Sequence, residues 1–184
     1  MIRHPDATPV IETERLTLRA FGPEDVADGV VFLMDERTKF MGGPYTRAAA
    51  WDHCAGLIGH WAIRGYGLFS MCLKGSDKAI GDCGLLQPGG YGEPELGWGL
   101  WRADLEGTGL VHEAATAVRA HAYGALGWTT LVSYVDPENT RSIALARRLG
   151  CRPDPEAGLP DLPGWEGTLV YRHPSPAELS GGAA

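Results

Sequence analysis

Apolar residues recur along this chain with two periods, and each switch between them marks an element. Ile11 to Phe21 alternates: Leu16, Leu18 and Ala20 interleave with Arg15, Thr17 and Arg19, the pattern of a strand with one buried face. Gly22-Pro23-Glu24-Asp25 sets proline and acids where a helix starts, and Val26, Val30 and Leu33 give that helix a buried stripe. Asp35 to Tyr45 reads as a loop. Thr46 is placed to cap a second helix, in which Trp51, Cys54, Ile58 and Trp61 recur at steps of three and four, so both tryptophans are expected in the core. Leu68–Leu73 and Lys78–Leu86 flank Gly75-Ser76-Asp77 and read as an antiparallel hairpin.

The second half repeats a strand-then-helix rhythm. Glu95 to Trp101 is a strand, and after a turn with Gly107 and Gly109 a helix runs from Leu110 through Ala114, Ala117 and Val118 to Ala122. Trp128 to Val135 is rich in strand formers. Asn139 is placed to cap a helix that ends at Leu149-Gly150. Pro153 to Gly164 reads as a long loop and Gly167 to His173 as a last strand. Residues 1–10 look like a loose polar start, and residues 176–184 are expected to be a disordered tail. The order is β-α-α-β-β-β-α-β-α-loop-β. It predicts a single α+β domain over residues 1–175, with a mixed, mostly antiparallel sheet flanked by about four helices.

Composition narrows the class. The 184 residues suit one domain with a sizeable core. A net charge of −7 argues against a nucleic-acid partner, whose phosphates call for clustered Lys and Arg. No apolar run approaches the ~20 residues that span a bilayer, and the start of the chain has no apolar h-region. Cys54, Cys72, Cys83 and Cys151 are widely spaced without a C-x-x-C pair, which points to a reduced, cytoplasmic protein. The six histidines show no ligand spacing, and His112-Glu113 lacks the second histidine of a zinc motif, so no metal is expected. No G-x-S-x-G elbow is present.

The stretch with the most chemistry is strand, glycine turn and helix. A helix N-terminus leaves backbone N–H groups without partners and carries partial positive charge. Glycines just before it let an anion approach the backbone. Taken alone, the pair Gly107 and Gly109 also fits an ordinary turn.

From Glu95 to Cys151 the chain resembles the GNAT acetyltransferases, and in particular the branch with the ribosomal-protein alanine acetyltransferases. The matching pieces, in order, are Glu95-Leu-Gly97-Trp98, then Gly107-x-Gly109-x-x-x-Glu113-Ala114, then Asn139-x-x-Ser142, then Leu149-Gly150. Glu14-Arg15-Leu16-x-Leu18-Arg19 resembles that branch's first strand. The resemblance implies acetyl-CoA as co-substrate, held in a V-shaped opening between the fourth and fifth strands. It maps cofactor contacts onto Trp98, Gly99, Leu100, Gly107, Thr108, Gly109, Leu110, Val111 and Asn139. The chain departs from the family's Gln/Arg-x-x-Gly-x-Gly/Ala at both ends, with Glu106 and Val111.

Acetyl transfer to an amine needs a neutral nucleophile, and lysine with its pKa near ~10.4 needs a base more than an α-amine near ~7.7–8.0. Glu95 is the candidate base, on one strand face with Gly97, Gly99 and Trp101; a solvated strand carboxylate fits the pattern equally well. Strand amides near Trp98 to Leu100 are candidate oxyanion donors. Ser142 resembles the branch's proton donor to the leaving thiolate, with Tyr134 as fallback; Asn139 and Ser142 also fit a plain helix start. The expected function is an N-acetyltransferase acting by direct attack in a ternary complex. The acceptor is a primary amine: a protein N-terminus or a small molecule. A non-catalytic acyl-CoA-binding module and a domain needing a partner protein are the alternatives, and a homodimer is expected only at family level.

Overall fold

The computed structural model describes residues 8–181. Residues 1–7 of the expected polar start and 182–184 of the expected tail lie outside the described residues. Eight strands form one sheet in the order β1-β2-β3-β4-β5-β6-β8-β7. In chain order the elements are β1 Ile11–Glu12, β2 Leu16–Ala20, α1 Val26–Leu33, α2 Arg47–Arg64, β3 Leu68–Leu73, β4 Ala79–Leu86, β5 Glu95–Leu100, α3 Leu110–Gly124, β6 Val132–Val135, α4 Thr140–Arg148, β7 Arg152–Pro153, β8 Leu169–Arg172 and α5 Pro176–Gly181. Every neighbouring pair is antiparallel except β5 and β6.

Apolar residues collect on both faces of this sheet. On one face α3 and α4 cover Leu16, Leu18, Phe69, Met71, Leu85 and Leu96 with Ala114, Val118, Leu145 and Leu149. On the other, α1 and α2 bring Val30, Leu33, Ala50, Cys54 and Leu57 over Phe21 and Leu68. Two caps read from the sequence are present: Thr46 Oγ1 accepts from the Ala49 amide and Asn139 Oδ1 from the Ser142 amide. The α2 helix ends at Gly65, which has φ +75.

Several expectations change. The single strand Ile11–Phe21 is two strands, because Thr13 turns the chain: its hydroxyl oxygen accepts from the Leu16 amide at 2.9 Å, and its amide donates to the Leu16 carbonyl. Trp51 is 57% exposed, because α2 buries the face with Ala50, Cys54, Leu57 and Trp61. The loop Asp35–Tyr45 holds a 3₁₀ helix, Glu36–Met41, pinned by the buried Thr38 hydroxyl on the Leu33 and Asp35 carbonyls. The tail expected to be disordered begins instead with α5, whose start is fixed by reciprocal Ser175 and Glu178 hydrogen bonds.

Candidate active site

The sheet has one weak seam. β5 and β6 run parallel but are in register only at Glu95 opposite Val132. β5 is paired with β4 along its whole length, from Leu86↔Glu95 to Gly81↔Leu100. From Gly97 onward it therefore keeps ladder partners on the β4 side and diverges from β6. Ser133 Oγ donates to the Leu96 carbonyl at 2.6 Å and holds the vertex of the opening.

Glu95 stands at that vertex. Its carboxylate lies over Gly97, 3.7 Å from where a Cβ would be, on the α1–α2 face. Burial pushes this carboxyl up to about 7, against a smaller opposing pull from the Tyr134 backbone amide. Aromatic rings crowd around it. Tyr91, Tyr134 and Trp165 meet edge to face with centroids 5.3–5.6 Å apart. Tyr134 is itself pushed up to about 12, first by burial and then by the Glu95 charge, and its hydroxyl donates to the Gly158 carbonyl.

Trp98 points to the opposite face, as alternation requires. Its indole Nε1 donates to Ser142 Oγ at 3.2 Å, so the strand and the first turn of α4 are bridged across the opening. Ser142 accepts this bond with its oxygen and keeps its own proton to donate. Asn139 uses Oδ1 for the cap and keeps its NH₂ group. Gly99 is buried beside Asp82, and the Leu100 carbonyl accepts from Arg37.

The glycine turn has left-handed backbone at both of its glycines. Gly107 and Gly109 have φ +75 and +83, a region L side chains avoid. Gly109 is the N-cap of α3, and no side chain caps the first-turn amides of Leu110 and Val111. Val111 packs against the main core. Thr108 is held by its hydroxyl on the Leu105 carbonyl and by its own carbonyl, which accepts from Arg15 Nη1 at 2.9 Å.

Sequence reasoning missed the arginines that build this turn. Arg15 also binds Glu113 of α3 through Nε at 2.7 Å. Arg37 donates to the Leu100 and Trp101 carbonyls and to Glu106. Arg141, next to Ser142, reaches Glu106 at 2.8 Å. Glu106 is thus held between two guanidinium groups instead of standing alone at an anion site. Only Arg15 gave a signal, inside the Glu14-Arg15-Leu16 motif; the other two contacts bridge distant segments. Arg147 and Arg148 are exposed at the far end of α4.

Other chemistries find little support. The four cysteines are unbonded and buried, and burial raises the thiols, Cys151 to about 12, which disfavours a thiolate nucleophile. Among the described residues no group of three His, Cys, Asp or Glu is placed to hold a metal ion, and no helix is long and apolar enough to cross a membrane.

The structure brings together a splayed β5–β6 pair, a glycine-capped helix and a partly buried carboxylate at the vertex. Residues 15–152 match the family model described as Acetyltransferase (GNAT) domain. The chain is 32% identical over 141 residues to an uncharacterised N-acetyltransferase, p20, of Bacillus licheniformis, covering 74% of this chain and 79% of that protein. It is 36% identical to an acetyltransferase of Agrobacterium tumefaciens str. C58, with a TM-score of 0.83 over 91% of this chain and 95% of that one. RimL, a ribosomal L7/L12 alpha-N-protein acetyltransferase, shares the fold at 15% identity, with a TM-score of 0.70 over 94% of this chain and 98% of that one. The chain belongs to the GNAT acetyltransferase family and is an acyltransferase. The family uses acetyl-CoA as co-substrate, and the glycine turn with its uncapped amides and nearby arginines fits a diphosphate.

Proposed function

We propose that this protein is an acetyl-CoA-dependent N-acetyltransferase that moves the acetyl group directly to a bound primary amine in a ternary complex. The observation that carries the reading is the seam itself: Glu95 at its vertex on one face, the Trp98–Ser142 bridge on the other, and the glycine-capped helix at its mouth.

Each residue then has a task. The amides of Gly107 to Val111, with Thr108 fixed by Arg15, hold the diphosphate. The diverging edge of β5 from Gly97 to Leu100 offers backbone amides to the acyl arm and to the carbonyl oxygen as it gains charge. Asn139 offers its NH₂ group to the same ligand. Glu95, poised near neutral pH, takes a proton from the acceptor ammonium. The freed amine forms the new N–C bond and releases its second proton to solvent as the C–S bond breaks; Ser142 Oγ hands a proton to the departing sulfur and regains one from solvent. As the mechanism is direct, no residue becomes acylated.

The protein N-terminus and the small-molecule amine both remain within this reading, as does action in the cytoplasm. The test is calorimetric titration of the folded protein with acetyl-CoA, followed by thiol release in the presence of amines and of peptides with free N-termini. Saturable one-site binding with amine-dependent thiol release is the expected result. Binding without turnover of any amine would leave an acyl-CoA-binding module instead.

A further inference from the structure

The α1–α2 face of β5 carries a second carboxylate that the mechanism above does not use. Asp82 lies on β4 directly opposite Gly99, so it shares the face of Glu95. It is only 8% exposed. Its Oδ2 accepts from Trp101 Nε1 at 2.8 Å, while Oδ1 lies 3.1 Å from where a Gly99 Cβ would be. Arginines are absent from its hydrogen bonds: the nearby Arg37 guanidinium sits over Phe32 and is committed to the Leu100 and Trp101 carbonyls and to Glu106. A buried carboxylate held by one neutral donor is under-compensated.

A cavity adjoins it. Its volume is about 30 Å³, room for one small polar head, and Phe21, Phe32, Leu57, Leu68, Asp82 and Trp101 are among its walls. Phe32 stacks on Trp101 at 6.1 Å and Phe21 meets it edge-on at 6.3 Å. Aromatic faces around one carboxylate are the chemistry of an ammonium site.

Between the two acids this face of β5 carries no side chain. Along β5 this face reads Glu95, Gly97, Gly99, Trp101, with Glu95 over Gly97 and Asp82 over Gly99. At ~3.3 Å per residue, Glu95 and Gly99 are about 13 Å apart along the strand. The Glu95 carboxylate leans inward over Gly97 while Asp82 reaches across from β4 at Gly99, so an extended aliphatic chain of roughly four to nine bonds would span them. A side chain at Gly99 would strike Asp82.

Resting on the N-acetyltransferase reading, we infer that the acceptor is an aliphatic di- or polyamine, with the reacting nitrogen at Glu95 and a distal ammonium held by Asp82 in the cavity under Trp101. Asp82 is then a specificity residue: it binds the far end of the acceptor and takes no part in proton transfer. Burial pushes its carboxyl up to about 7, and a bound cation would restore it to the charged form.

The test compares 1,n-diaminoalkanes with n-alkylamines of equal length by thiol release. In the wild-type protein the diamines should be favoured in kcat/KM by about tenfold or more, with an optimum in chain length, as expected for a desolvated charge pair. Asp82→Asn keeps an acceptor for Trp101. It should raise KM for diamines and lower their kcat/KM by about ten- to hundredfold, leaving the monoamines within about threefold. Equal turnover of the two series in the wild type, or an unchanged ratio in the variant, would overturn the inference while amine transfer stands. Acetylation of peptide N-termini but of neither series would do the same. Turnover of no amine at all would remove the N-acetyltransferase reading and this inference together.

Discussion

At the scale of the residue, Glu95 decides most. A carboxyl held near 7 by burial is a weak acid below neutrality and a usable base above it. The proposed mechanism therefore expects kcat/KM to rise with pH through an inflection near 7, where an ordinary carboxylate would give one near 4.5. Glu95→Gln should lower kcat by roughly a hundred- to ten-thousandfold and leave acetyl-CoA affinity within about threefold; a variant that keeps its turnover would return Glu95 to an ordinary strand carboxylate. The same shift has a stability sign. The folded pKa is raised, so the group favours folding at low pH, and that contribution is lost as pH rises toward and through 7. Thermal melts should show Glu95→Gln gaining on the wild type at pH 8 and not at pH 5. Glu95 itself was legible in the sequence, through alternation with Gly97 and Gly99. Its neighbours were not: Tyr91 and Trp165 come from loops with no period, and nothing local tells that they meet Tyr134.

At the scale of the element, the glycine turn is shaped by what lies outside it. Its dihedrals were readable as glycine positions, but its electrostatics were not. Glu106 stands out in the sequence as a departure from the family pattern; in the structure it is paired with Arg37 of the 3₁₀ helix and Arg141 of α4. Such pairs join segments far apart in sequence, which no spacing rule reaches. In the proposed complex those guanidinium groups are offered a diphosphate as a competing partner. Glu106→Gln should then tighten acetyl-CoA binding by about three- to tenfold in low salt, the gain shrinking as salt screens it. A weaker Kd would mean that Glu106 aims the two arginines rather than competing for them. Gly109→Ala should lower stability by about 1–2 kcal/mol from left-handed strain and weaken the cofactor further by disturbing the first-turn amides. Element boundaries followed the same logic. Trp128 to Val135 has strand-forming residues throughout, but only Val132–Val135 finds a partner in β8.

For the whole molecule, the order of strands and helices was visible because each carries its own period, and the mixed sheet followed from it. What stayed hidden was the polar chain that runs from Cys151 to the vertex of the β5–β6 opening. Cys151 Sγ lies 3.2 Å from His173 Nδ1, His173 Nε2 lies 3.0 Å from Ser133 Oγ, and Ser133 donates to Leu96. With a proton on Nε2 every group in this chain is satisfied. Burial, with the Arg119 charge adding to it, lowers His173 to about 3. Its neutral form favours folding fully above the unfolded value near 6.5, and that contribution is lost as pH falls toward 3. Melts of the wild type should therefore steepen below pH 6.5, and His173→Gln should melt lower at pH 7 but with a flatter acid limb.

The single backbone match between β5 and β6 divides the sheet into two leaves on one pin. β1 to β5 form one leaf, β6 to β8 the other, and the ladder that stiffens a sheet is nearly missing between them. A molecule seated in that gap touches both leaves and acts as mortar along a dry joint. In the proposed complex its affinity adds to the cohesion of the two leaves, which otherwise share the core packed under α3 and α4: whatever displaces it slackens the sheet along the seam.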